Sequence, residues 1–222
     1  KPPSTSLDDS VIRGTNAPFA EEGGLRLLEG NLGRSVIKVS AVSAEHRIVE
    51  APAVVIDSQH ALQGLYDSGE LNRDCVVVVR FQGPIANGMP ELHKLTPLLS
   101  SLQDKGYAVA LITDGRMSGA SGKVPAAIHI TPEAAADGPL SRLRDGDKIT
   151  LNANTGELKV ALSESELASR DRAIPPNADQ YTVGRNLFSA ARNQVSNAEQ
   201  GASFLFNADT HFTHQTARVE VA

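Results

Sequence analysis

Tryptophan is absent from this 222-residue chain, aromatic residues make up 4% of it, and it has two methionines and one cysteine. With so few aromatics, the 41% of residues that are hydrophobic must build an aliphatic core of Val, Leu, Ile and Ala. A single cysteine excludes an intrachain disulfide and cannot by itself ligate an iron–sulfur cluster. Cys75 lies in DCVVVVRF and reads as a small buried strand residue. Basic residues are also in deficit: 21 Lys and Arg stand against 26 Asp and Glu, a net charge of −5. That argues against non-specific binding to nucleic acid or to an anionic membrane, both of which require basic faces. No apolar run approaches the roughly 18–20 residues that span a bilayer. The opening KPPSTSLDDS has no apolar signal core, so a cytoplasmic protein is expected.

What is present is a series of short elements. Residues 1–22 are rich in Pro and Ser and read as an arm or linker; 23–205 form one domain; 206–222 are a polar tail. GGLRLLEGNLG (23–33), bracketed by glycines, is expected to hold one helical turn. SVIKVSAV (35–42) and APAVVID (51–57) read as strands. SQHALQGLYDSG (58–69) reads as a helix capped by Ser58. CVVVVRF (75–81) is a strand covered on both faces. TPLLSSLQDKG (96–106) reads as a helix with Thr96 as cap and Pro97 at its first position, and YAVALIT (107–113) as the next strand. TPEAAADG (131–138) repeats the Thr-Pro grammar and places Glu133 on the helix dipole. DKITLNANTGELKVAL (147–162) is a hairpin turning at Asn154-Thr155-Gly156. Such a hairpin excludes an all-parallel doubly wound sheet. The expected fold is mixed α/β, a β-barrel or sandwich flanked by helices.

Reactive groups concentrate in two loops that follow strands. The first ends Gly88-Met89-Pro90-Glu91. Glu91 reads either as a surface carboxylate at a helix start or as a ligand of a hard cation such as Mg²⁺. The second loop is TDGRMSGASGK (113–123). Ser118 is either a turn former or a base activated by its neighbours. Arg116 and Lys123 are nearby cations, and Gly115, Gly119 and Gly122 let backbone N–H groups turn toward an anion. The spacing does not match a phosphate-binding Walker loop. Of six histidines, His129 reads as a strand residue and His211 and His214 as part of a solvated terminus.

Together, VVVVRFQGPIANGMPEL and ALITDGRMSGASGKVPAAIHITPEAAADGPLSRLRDGDKITL resemble the C-terminal domain of the dihydroxy-acid and phosphogluconate dehydratases. GRMSGASGKVPAA and NQVSNAEQGA are similar to the phosphogluconate branch. The resemblance implies a β-barrel flanked by helices, of the swivelling β/β/α type found in aconitase-like enzymes. It implies that the chain is the C-terminal part of a homodimeric hydro-lyase, inactive without an N-terminal domain that carries the iron–sulfur cluster. By resemblance, Ser118 is the base that removes the C2 proton, and Glu91 is this domain's Mg²⁺ ligand. The cluster acts as Lewis acid on the departing C3 hydroxyl. The implied substrate is 6-phospho-D-gluconate, in the Entner–Doudoroff pathway, with Lys123, Arg116 and Ser121 as candidate phosphate contacts. Asp114 is expected to brace the loop, through Arg116, with Gly115 and Gly119 shaping it. Two other readings stay open: a dihydroxy-acid or other sugar-acid dehydratase, and a stand-alone domain that binds small anions.

Overall fold

Four consecutive valines, Val76 to Val79, follow Cys75 in a strand that is buried at every position. Its side chains divide by parity. Val76 and Val78 point into one apolar cluster, while Cys75, Val77 and Val79 point into another. This is the period-2 geometry of a strand with a packed layer on each side. In the computed structural model, which describes residues 5–21, 23–118, 122–176 and 181–205, the first cluster fills a closed barrel and the second lies between that barrel and two helices.

The described residues form eight strands: β1 (Leu25–Gly30), β2 (Gly33–Lys38), β3 (Ile48–Ile56), β4 (Cys75–Val79), β5 (Val109–Thr113), β6 (Ala126–Thr131), β7 (Lys148–Asn152) and β8 (Glu157–Val160). They close in the order β1-β2-β6-β5-β4-β3-β7-β8. Strands β3, β4, β5 and β6 run parallel, and the β1–β2, β2–β6, β3–β7 and β7–β8 pairs are antiparallel. The expected mixed α/β barrel flanked by helices is therefore observed. Helix α1 (Ala61–Asp67) connects β3 to β4; α2 (Pro84–Asn87) and α3 (Leu95–Asp104) connect β4 to β5. Leu62 of α1 and Leu95, Leu99 and Leu102 of α3 seal the outer cluster. Helix α4 (Glu164–Ser169) begins with a reciprocal capping box between Ser163 and Glu166. Helices α5 (Val183–Leu187) and α6 (Ser189–Gln194) follow.

Residues 23–33 correct the expected helical turn: they are most of the β1–β2 hairpin. Strand β1 is largely exposed, so its sequence carries no clear alternation. Pairing on both sides makes it a strand, not burial of one face. Gly30 permits the closure, because a Cβ there would lie 1.9 Å from the Leu158 carbonyl oxygen on β8. The expected caps also shift. Helix α3 starts at Leu95, one residue before Thr96, whose hydroxyl then has no partner among the described residues. Ser58 accepts the His60 N–H in the turn before α1, rather than capping the helix itself. Residues 5–21 form neither helix nor strand and are exposed throughout. The tail 206–222, with His211 and His214, lies outside the described residues. No helix among the described residues is long and apolar enough to cross a membrane.

Candidate active-site rim

Because β4 and β5 are neighbours and parallel, with Val79 beside Thr113, the loops that follow them leave the barrel at one rim. Asp114 locks the two together. Its fully buried carboxylate accepts the N–H of Gln82 on Oδ1 (2.8 Å) and the N–H groups of Phe81 (3.1 Å) and Ala134 (2.9 Å) on Oδ2. The expected bracing role is thus carried by three backbone bonds, not by Arg116. Phe81 adopts a left-handed conformation, φ 61°, which turns its N–H and that of Gln82 onto the same carboxylate. Burial raises the Asp114 pKa against the opposing pull of these N–H groups.

A second buried carboxylate acts alongside. Glu133 was expected on the dipole of its own helix, but the short 3₁₀ turn Ala134–Ala136 begins after it. Its side chain instead crosses to α2 and accepts the N–H groups of Ile85 (2.8 Å) and Ala86 (3.1 Å). These are orphan donors of the α2 first turn. Burial raises the Glu133 pKa, and the charge of Asp114 adds to the shift. No spacing rule could have revealed this contact, because 48 residues separate Glu133 from Ile85.

Past α2, Gly88 (φ 69°) and Met89 (φ 52°) both take left-handed conformations and turn the chain back along the rim. Glu91 then forms an isolated parallel bridge with Arg116. Arg116 donates from Nε to the Met89 carbonyl (2.7 Å) and from Nη1 to Glu91 Oε2 (2.8 Å). The other carboxylate oxygen, Oε1, accepts the backbone N–H of Ser118 at 2.7 Å. The structure thereby brings Glu91, Arg116 and Ser118 together, with Arg116 and Ser118 exposed at the surface. So exposed an ion pair contributes about 0–1 kcal/mol; its consequence is to fix where a carboxylate stands relative to Ser118.

The remaining predicted residues separate. Gly115 sits where a Cβ would lie 2.7 Å from Gln82 Cβ and 3.2 Å from the Gln82 carbonyl oxygen, so it is required by the close approach of the two loops. Lys123 forms an ion pair with Asp104 at the end of α3. Ser121 and Gly119 lie outside the described residues. His129 is in β6 as expected, but at φ 59°, with its N–H bonded to the Gly115 carbonyl. Burial and the charge of Arg116 hold its pKa below the usual imidazole value.

Beside this constellation opens a cleft of about 460 Å³. It is lined by Gly88, Met89 and Arg116 from the rim and by Phe188, Arg192 and Phe204 from the segment that follows α5. Sequence reading gave no reason to place residues 188–204 here, since only tertiary packing of α6 on α2 does so.

The donor chemistry bounds which cofactors this chain can hold. Mg²⁺ takes one or two protein carboxylates and completes its shell with water and substrate. Glu91 fits such a one-ligand share, since a carboxylate bonded once at each oxygen keeps lone pairs free. No cluster of three or more His, Cys, Asp or Glu suited to a metal occurs among the described residues. The residues do not fit an iron–sulfur cluster: Cys75 is fully buried, and burial pushes its thiol up to about 11, far from the thiolate that iron requires.

Residues 10–202 match the family model described as dihydroxy-acid/6-phosphogluconate dehydratase C-terminal. The chain belongs to this family. It is 57% identical to the phosphogluconate dehydratase of Pseudomonas aeruginosa over 200 residues, 90% of this chain and 33% of that protein. It is 50% identical to the phosphogluconate dehydratase of Zymomonas mobilis over 206 residues, 93% and 34% of the two chains. The dihydroxy-acid dehydratase of Dehalococcoides mccartyi is 38% identical over 201 residues, 89% and 35%. The chain thus spans about a third of the length of these dehydratases. The family match begins at residue 10, inside the segment that composition marked as an arm.

Proposed function

We propose that this domain belongs to an enzyme that dehydrates 6-phospho-D-gluconate to 2-dehydro-3-deoxy-6-phosphogluconate, a step of the Entner–Doudoroff pathway. The observation that carries the reading is the convergence of Glu91, Arg116 and Ser118 from two separate loops. The choice of substrate is supported by higher identity to phosphogluconate dehydratases, 48–57% among seven of them, than the 38% to a dihydroxy-acid dehydratase.

In this reading Ser118 removes the proton from C2 of the substrate, hydroxide leaves C3, and the enol so formed tautomerises to the 2-keto acid. A serine hydroxyl is a weak base in water, so its environment must stabilise the alkoxide. Glu91 holds the Ser118 main chain in place and would be this domain's ligand to Mg²⁺, and Arg116 orients Glu91. When bound, Mg²⁺ supplies Lewis-acid polarisation of substrate oxygens. The ligands of an iron–sulfur cluster would come from an N-terminal domain, the partner of this one, in a cytoplasmic homodimer.

The test is Ser118→Ala in an enzyme of full family length. Turnover of 6-phosphogluconate should fall by roughly 10²–10⁴-fold, the usual worth of a positioned base, with the melting temperature unchanged. Near-normal turnover removes Ser118 from the role. Faster dehydration of 2,3-dihydroxyisovalerate than of 6-phosphogluconate by the unaltered enzyme moves the protein to the other branch.

A further inference from the structure

The geometry points to Arg192 as the residue that grips the substrate phosphate and so separates a phosphorylated from an unphosphorylated sugar acid; this rests on the dehydratase reading above. The cations around the rim are otherwise engaged. Arg116 bonds Glu91 and Met89, Lys123 pairs with Asp104, Arg185 donates to the Ala86 carbonyl, and Arg34 pairs with Glu29 and Glu199. Arg192 is partly buried, and its guanidinium has no hydrogen bond or ion pair among the described residues. Its donors are therefore open to an incoming anion and need not first break a bond within the protein.

Its surroundings suit a phosphate. The described lining of the cleft contains two arginines and no acidic residue, a local excess of positive charge on a chain that is net negative. Met89, Phe188, Val195 and Phe204 supply apolar walls, which reduce water screening of a charge held between them. The guanidinium fork matches phosphate oxygens in a bidentate way that an ammonium does not. The wall that carries Arg192 is also fixed against the rim. Arg185 ties α5 to α2, and Glu199 ties the turn after α6 to Arg34 of β2 at 2.9 Å. Because the cleft shares Met89 and Arg116 with the Glu91–Ser118 constellation, one end of a bound sugar acid can lie at Arg192 while the other lies at the reacting loop. Lys123, the cation that sequence position suggests, already has a carboxylate partner; Arg192 does not.

The experiment compares unaltered enzyme of full family length with Arg192→Ala and Arg192→Lys. It measures KM for 6-phosphogluconate and the competitive inhibition constant of D-gluconate, the same acid without its phosphate. In Arg192→Ala the KM should rise roughly 10- to 100-fold, the range of one charge-assisted contact, while the gluconate constant stays unchanged. Arg192→Lys should recover part of the loss. The inference is overturned if KM is unchanged, or if KM and the gluconate constant rise together, as a purely structural role would produce. If the unaltered enzyme does not dehydrate 6-phosphogluconate, the proposed function fails and this inference falls with it. Normal turnover with an indifferent Arg192→Ala overturns the inference alone.

Discussion

Asp114 and Glu133 carry two carboxylates into the layer beneath the rim, where each substitutes for water as acceptor of backbone N–H groups that nothing else satisfies. Asn in place of Asp114 offers one acceptor oxygen and turns an NH₂ toward N–H donors. Asp114→Asn should therefore lower stability by about 2–4 kcal/mol, the sum of lost charge-assisted bonds and a buried unsatisfied donor, read from urea unfolding. An unchanged midpoint would show that the three bonds are dispensable. Glu133 gives a pH signature. Its folded pKa is raised by burial above the ordinary 4.5. The stability it contributes is thus complete below the unfolded value and is lost as pH rises through the folded one. Glu133→Gln has no such titration, so the stability advantage of the unaltered protein over Glu133→Gln should shrink as pH rises from about 4.5 toward neutrality. An advantage that grows over this window would reverse the assigned sign. Sequence reading identified Asp114 as a brace but could not name its partners, because all three N–H groups lie 20 or more residues away.

At the scale of elements, the rim depends on two loops approaching more closely than a side chain allows. Gly115→Ala places a Cβ against Gln82 Cβ and the Gln82 carbonyl oxygen, and Gln82 is itself buried and bonded to Asp57 and Arg80 carbonyls. The Gln82 Cβ is fixed to its own backbone and cannot swing aside by rotation of its side chain. The substitution should cost about 1–3 kcal/mol and displace Arg116 from Glu91, so under the proposed function turnover by an enzyme of full family length should fall more steeply than the melting temperature alone accounts for. Equal activity at a temperature where both proteins are folded would refute the close-approach argument. Strands β4 and β5 were legible because their β-branched runs are buried on both faces. Strand β1 was not, because only Leu28 of its six residues is fully buried and an exposed strand leaves no hydrophobic period. The hairpin of β7 and β8 was legible from both of its signals, alternation in the arms and the turn residues Asn154-Thr155-Gly156; the structure adds that Asn152 Oδ1 accepts the N–H groups of Asn154 and Thr155.

For the whole molecule, Cys75 is an internal reporter. It lies at zero exposure on the outer side of the barrel wall beneath α1 and α3, with its thiol raised to about 11. A thiol reagent at about pH 8 meets almost no thiolate and no path to it until the helices leave the barrel. The labelling rate should therefore follow global unfolding and rise with urea in parallel with the loss of secondary structure. Full labelling within seconds in the native protein would mean that the α1–α3 layer opens independently of the barrel.

The sequence by itself determined the aliphatic core, the doubly buried central strands, the terminal hairpin and the two loops that carry Glu91, Arg116 and Ser118, because each of these is written in local periodicity, turn chemistry or a contiguous motif. Tertiary structure decided the rest. Closure of the barrel through the exposed strand β1, the buried carboxylates that bind distant N–H groups, the engagement of Lys123 by Asp104 and the placement of Arg192 in one cleft with Arg116 all join residues far apart in the chain. Such contacts are selected by packing and by the need to satisfy buried polar groups, neither of which leaves a pattern at fixed spacing.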